Sequence, residues 1–307
     1  MRDPLIILAP PRSFTSIVCS MLGQHPEMYG LPEVHLLVAE TMQERARWVA
    51  RPSWRPGVPR GWREHGLLRV VAQLFAGEQT RQSIAGAKRW VNIRVNRTCV
   101  SVFRELAEKV SPRMLVEKSP STPSRCEHLQ RARRAFPSAK FIHLLRHPRS
   151  YGQSLWYTEH MNILTFLDGL PEAQQMRLRG EDLLREPGSY LRQVAEWLGL
   201  RADAEAIDAM KHPERSPYAC FGPVNAPFGN NRSFLQAPVL RNSPAKPLKR
   251  HGALSRPDGP EELSPEVREL AREFGYTWGG NTDGNNMDEC RLATAAPGGA
   301  LRQKRLS

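Results

Sequence analysis

The sequence predicts an α/β fold, with a central parallel β-sheet flanked by helices. Three observations point there. A continuous apolar run, Leu5-Ile6-Ile7-Leu8-Ala9, lies between Pro4 and Pro10 and reads as a strand buried on both faces. Two further short runs, Met114 to Glu117 and Lys140 to Leu145, read the same way. Segments of helical periodicity lie between and after them, and alternating strands and helices build a parallel sheet covered on both sides.

The elements follow in order. Ser13 to Gln24 reads as a helix, with Ile17, Val18, Met21 and Leu22 on one face at spacings of three and four. Strand, tight turn and helix N-terminus thus succeed one another within the first 25 residues, the layout of a phosphate-binding site in an α/β protein. Residues 50 to 62 are rich in proline, arginine and tryptophan and read as an irregular loop. Arg125 to Phe136 reads as a helix, and another begins after Arg146-His147-Pro148. Tyr190 to Leu198 is amphipathic and stops at Gly199. Residues 213 to 260 hold many prolines and asparagines together with Phe221, Phe228 and Phe234, which predicts a long ordered loop over the site. Leu263 to Phe274 reads as a last helix. From Gly279 the chain is rich in glycine, asparagine and alanine, which predicts disorder over 279–307.

Composition narrows the function. The 307 residues, 40% apolar, show neither a mid-chain linker nor a repeat, so one domain over residues 1–278 is expected. The net charge of +13 is mostly arginine, spread along the chain without a block of five like charges. Such a surface attracts anions, and a nucleotide-binding cleft explains it as well as nucleic acid does. Cys19, Cys99, Cys126, Cys220 and Cys290 are widely spaced with no Cys-x-x-Cys pair. This argues against a disulfide framework or a zinc site and suits a reducing cytoplasm. The first apolar run is too short for the core of a secretion signal, and no run approaches the roughly 20 residues of a membrane helix.

The first motif is the loop Pro10-Pro11-Arg12-Ser13-Phe14-Thr15-Ser16. Backbone N–H groups at a helix N-terminus carry partial positive charge and bind phosphate. Ser13, Thr15 and Ser16 add hydroxyls, and Arg12 adds a planar cationic fork. No Gly-Lys-Ser/Thr follows, so the usual Mg²⁺–nucleoside triphosphate loop is excluded. A proline turn with a capping serine is the plainer alternative. The second motif is Arg146 with Ser154, eight residues apart, after the third predicted strand. Arg146 stands where ligands bind in open parallel sheets, beyond a strand's carboxyl end. Ser154 is expected about two turns into the next helix, folding back toward the same phosphate. A capping arginine and a solvent-facing serine would explain the pair without a ligand.

Together the two motifs resemble those of the PAPS-dependent sulfotransferases (PAPS is 3′-phosphoadenosine 5′-phosphosulfate), in particular the bacterial type. Further segments extend the likeness, in the family's order, over roughly residues 5 to 275: Glu117-Lys118-Ser119-Pro120, Phe136-Pro137-Ser138-Ala139-Lys140-Phe141-Ile142, and Arg179-Gly180-Glu181-Asp182-Leu183 with Pro187 and Trp197-Leu198-Gly199-Leu200. Two positions depart from the pattern. Phe14 stands for the usual loop glycine, and Gly180 for the usual tyrosine. The Arg-Lys-Gly ending of the cytosolic animal enzymes is also missing. Gly222-Pro223-Val224-Asn225 and Gly229-Asn230-Asn231-Arg232 resemble a loop of bacterial members in its place.

The resemblance implies a P-loop-like sulfotransferase fold and transfer of sulfonate from PAPS to an acceptor hydroxyl, releasing PAP, with no metal. It assigns the 5′-phosphosulfate to Arg12, Ser13, Phe14, Thr15 and Ser16, and the 3′-phosphate to Arg146 and Ser154, with Asn230 and Asn231 as further nucleotide contacts. Glu33, in Tyr29-Gly30-Leu31-Pro32-Glu33, is the candidate general base, His35 its rival, and Lys118 with Arg12 the cations for the transferring group. An exposed loop carboxylate, a structural histidine and a surface lysine are the alternatives for those three. The acceptor is expected to be a small molecule, a lipid or a secondary metabolite, since abundant arginine, alanine and proline suggest a G+C-rich bacterial source. No nucleic-acid partner is expected. A kinase with a related loop is the competing reading, weakened by the missing Gly-Lys-Ser/Thr.

Overall fold

Leu5–Leu8 forms strand β1 at the centre of the sheet, and its alternation explains both cores. In the computed structural model, which describes residues 2–52, 60–148, 152–240 and 263–276, Ile6 and Leu8 face one side and Leu5 and Ile7 the other. All four are completely buried or nearly so. A strand covered on both faces needs a continuous apolar run, and burying each such side chain contributes roughly 1.5–3 kcal/mol.

The sheet has five parallel strands in the order β2-β3-β1-β4-β5, with β2 Met28–Gly30, β3 Met114–Glu117, β4 Lys140–Leu145 and β5 Gln175–Arg179. The three predicted strands are therefore its centre, with β1 between β3 and β4. Helix α1 (Thr15–Leu22) covers the Leu5/Ile7 face together with α9 (Pro187–Leu198) and α10 (Ala204–Met210), through Val18, Met21, Leu191, Val194 and Ile207. The opposite face is covered by α3 (His65–Ala76), α4 (Arg81–Asn92), α5 (Cys99–Val110), α6 (Cys126–Ala135) and α7 (Gln153–Asp168). Helices α2 (Met42–Val49), α8 (Gly180–Arg185), α11 (Arg232–Gln236) and α12 (Pro265–Glu273) complete the set.

The predicted helices form close to their expected bounds. Helix α1 starts at Thr15 rather than Ser13, because Phe14 adopts a left-handed backbone (φ 61°) that ends the turn. Gly199 terminates α9 in the left-handed conformation expected of it (φ 69°). Ser264 caps α12, accepting the Val267 N–H at 3.4 Å. One position needs correction. Helix α7 begins at Gln153, so Ser154 lies in its first turn and is exposed, not two turns inside. The stretch from 213 is not loop throughout, since it includes α11. Residues 53–59 of the proline-rich stretch, 241–262 of the long loop and the tail from Gly279 lie outside the described residues. No helix among the described residues is long and apolar enough to cross a membrane. Cys19, Cys99, Cys126 and Cys220 are free thiols.

Candidate active site

The first loop, Lys118, Arg146 and Glu33 all follow carboxyl ends of adjacent strands, β1, β3, β4 and β2 respectively. That edge of an open parallel sheet is where ligands bind. Two non-glycine residues of the loop, Arg12 (φ 72°) and Phe14 (φ 61°), are left-handed, a conformation costing of order 1–3 kcal/mol each and concentrated at ligand sites. Phe14 provides no side-chain cap for α1, and the first turn carries no acidic residue. The leading amides of α1 thus keep their capacity to bind an anion. Ser13 is buried, and its hydroxyl has no hydrogen-bond partner among the described residues.

Lys118 is fully buried, and its ammonium joins two elements. It donates to Glu33 Oε1 at 2.9 Å and to Ser16 Oγ at 3.1 Å. The Asn231 N–H donates to the same Ser16 oxygen at 3.2 Å. Ser16 accepts both bonds, which leaves its own proton for an incoming anion. Burying an ammonium is tolerable here because a carboxylate and a hydroxyl receive it.

Glu33 is held on all sides. Its N–H donates to the Gly229 carbonyl at 2.7 Å. Gly66, in the first turn of α3, lies against its backbone, where a Cβ would stand 2.0 Å from the Glu33 carbonyl oxygen. The buried Arg45 donates through Nη2 to the Val34 carbonyl at 2.8 Å and through Nε to the carbonyls of Val34 and His35 at 3.2 Å. His35, itself left-handed (φ 50°), is fixed by its N–H on Ser119 Oγ (2.9 Å) and by Nδ1 against Ser121 Oγ (2.7 Å). Its Nε2 lies 3.9 Å from Glu33 Oε2. Burial, then Arg45, Lys118 and Arg63, hold the imidazole well below its ordinary pKa, so it is neutral at physiological pH. Glu117, at the end of β3, accepts the Ser119 N–H at 2.8 Å, and burial raises its pKa.

Arg146 reaches the first loop directly. Its Nη1 donates to the Arg12 carbonyl, and its guanidinium lies over the Phe14 ring, 4.0 Å from the centroid. Its Nε is buried without a partner among the described residues. The Arg146 carbonyl accepts from Trp156 Nε1 at 2.9 Å. Glu181 accepts the His147 N–H and the Tyr276 hydroxyl, both at 3.0 Å, tying α8 to the same corner.

The structure therefore brings together Arg12, Ser13, Phe14, Thr15, Ser16, Glu33, His35, Lys118 and Arg146. Ser154 makes no hydrogen bond to Arg146 or the first loop among the described residues. Asn231 meets the loop through its backbone, while its side chain caps α11 on the Ser233 N–H at 3.0 Å. Asn230 turns its amide onto the Tyr218 carbonyl at 3.0 Å. Sequence reasoning missed Arg45, Gly66 and Ser121, and it quoted Ser119 only within a matching segment, with no role. Arg45 looks like one more surface arginine, and Gly66 and Ser121 carry no local signal.

The model of the sulfotransferase family matches residues 4–204. A solved sulfotransferase domain from the curacin biosynthetic pathway superposes with a TM-score of 0.73 at 23% identity, covering 90% of this chain and 99% of that one. A sulfotransferase domain from the Synechococcus PCC 7002 olefin synthase gives a TM-score of 0.68 at 26% identity, covering 90% and 95%. No curated relative matches the chain. A phosphate-type loop, a buried lysine on a carboxylate and an arginine on the loop thus share one sheet edge, and by the family match over residues 4–204 the chain belongs to the sulfotransferases.

Proposed function

We propose that this chain transfers the sulfonate group of PAPS to a hydroxyl of a biosynthetic metabolite or lipid-like acceptor, with Glu33 as general base. The observation that carries the reading is the buried Lys118 bonded at once to Glu33 and to Ser16 of the phosphate-type loop. It couples the place where donor anions would sit to the carboxylate that would take a proton. The donor fits the residues present. An uncapped helix N-terminus, the unpartnered Ser13 hydroxyl and the partly unsatisfied guanidinium of Arg146 suit a nucleotide with phosphates at both its 5′ and 3′ ends.

In this reading the acceptor oxygen attacks sulfur in line, its proton passes to Glu33, the new O–S bond forms, and the bond from sulfur to the 5′-phosphate oxygen breaks to release PAP. Lys118 and Arg12 stabilise charge on the sulfonate and leaving oxygens, and the α1 amides hold the 5′-phosphate. His35 is the second candidate base, because its neutral Nε2 stands 3.9 Å from Glu33 with no hydrogen-bond partner among the described residues. A kinase reading has no support once the family is established.

Half-buried aromatic rings lie next to the residues that touch Glu33. Trp48 packs on His35 at 5.1 Å, and His65 stacks on Phe228 at 5.7 Å, next to the two glycines that box the Glu33 backbone. Such walls suit an apolar acceptor body. The names of the two solved relatives, both biosynthetic, favour the same class. The free thiols suit a cytoplasmic setting. Labelled PAPS incubated with fractionated metabolites of the source organism tests the assignment. Acceptor-dependent transfer by the wild type, lost in Glu33→Gln, is expected. Transfer undiminished in Glu33→Gln would move the base to His35.

A further inference from the structure

The two positions at which the chain departs from the pattern it resembles touch each other in space. A Cβ placed on Gly180 would lie 2.5 Å from Phe14 Cδ2 and 3.3 Å from the Leu145 carbonyl oxygen. The first contact is closer than carbon atoms approach, so any side chain at 180 displaces the Phe14 ring. The ring in turn supports the Arg146 guanidinium at 4.0 Å, in a cation–π stack whose edge donates to the Arg12 carbonyl. Phe14 accepts a left-handed backbone that a glycine would adopt without strain. A strained phenylalanine, a neighbouring glycine and a stacked arginine form one unit.

We infer that Phe14 is a positioning residue for Arg146, its ring holding the guanidinium flat against the first loop and aimed at the nucleotide's 3′-phosphate, and that Gly180 is kept bare so that the ring can lie there. This rests on the nucleotide reading above. Positions 14 and 180 then act as a coupled pair, since a side chain at 180 would take the space the Phe14 ring occupies. The Nε of Arg146, which has no partner among the described residues, is the donor that this placement leaves for a phosphate.

The test is a double-mutant cycle on the full chain, read by calorimetric titration of PAP and of 5′-AMP, which lacks the 3′-phosphate. Phe14→Ala and Gly180→Ala should each lower the preference for PAP over AMP by roughly tenfold, about 1.4 kcal/mol, whatever either does to the affinity for AMP itself. The double variant should lose no more than either single one, because both changes remove the same support. Phe14→Leu, which keeps apolar bulk but not the flat ring, gives the same readout if Phe14→Ala does not fold. Additive losses, or an unchanged PAP preference in variants that bind PAP, would overturn the inference while leaving the nucleotide assignment standing. A folded wild-type chain that does not bind PAP would remove both.

Discussion

The ammonium of Lys118, withdrawn entirely from solvent, sits 2.9 Å from the carboxylate of Glu33. Removing one partner of such a pair leaves an uncompensated charge and costs on the order of 3–5 kcal/mol. Lys118→Met should therefore lower the melting temperature markedly as well as abolish turnover. Adding Glu33→Gln to it should restore part of the stability and none of the activity. Equal melting of the single and double variants, followed by circular dichroism, would show that the pair is not an ion pair in solution.

Glu33→Gln alone should reduce turnover by roughly 10²- to 10⁴-fold, the usual range for a general base, while PAP affinity stays within about twofold. Single-turnover transfer set beside PAP titration separates the two effects.

Gly66→Ala should disturb Glu33, the proposed base, without touching the loop at 10–16. The added carbon would stand 2.0 Å from the Glu33 carbonyl, so the Glu33 backbone or α3 must shift. Overpacking of this kind costs about 1–3 kcal/mol. Turnover is expected to fall at least tenfold, about 1.4 kcal/mol of transition-state stabilisation, with PAP binding retained. Unchanged turnover would mean that the Glu33 segment is not fixed by α3.

Arg45→Met should destabilise the fold by roughly 3 kcal/mol in urea titration. It leaves the buried carbonyls of Val34 and His35 without a donor, at about 1–3 kcal/mol for each group.

Stability should depend on pH through a buried cluster on α7 and β4. Burial raises the Glu159 carboxyl to about 8 and lowers His160 to about 3. His143, hydrogen-bonded to His160 at 2.8 Å, is likewise held well below its ordinary value, by burial and then by His160. For each histidine the unfolded chain binds the proton more readily, so stability is lost as pH falls below about 6.5. For Glu159 the folded chain binds the proton more readily, so stability falls as pH rises from the ordinary carboxylate range toward 8. The cluster's contribution is thus greatest near pH 6.5, declining above it by up to about 1.4 kcal/mol per pH unit. Glu159→Gln should flatten the decline between pH 6.5 and 8 in denaturant titrations, and an unchanged slope would contradict the assignment.

The centre of the sheet was legible because its strands, buried on both faces, are short and mostly apolar runs between prolines and charged residues. The edge strands were not. Met28–Gly30 is three residues long, and Gln175–Arg179 carries two arginines because one side of an edge strand meets solvent. Ser154 was misplaced because nothing local shows that the helix waits until Gln153. Arg45 was invisible, since an arginine gives no sign in sequence that two buried carbonyls will receive it. Gly180 read as a lost tyrosine, and the positive reason for it, the ring of Phe14, appears only when β1 and β5 are laid on either side of β4.

Calorimetric titration of PAP and of Mg-ATP into the wild-type chain and Arg146→Ala tests the two-phosphate nucleotide site most directly. One saturable PAP site, no comparable binding of Mg-ATP, and at least a tenfold weaker PAP affinity in Arg146→Ala, about 1.4 kcal/mol, are expected. Undetectable PAP binding by the folded wild type, or equal affinity for PAP in the two proteins, would contradict a two-phosphate site.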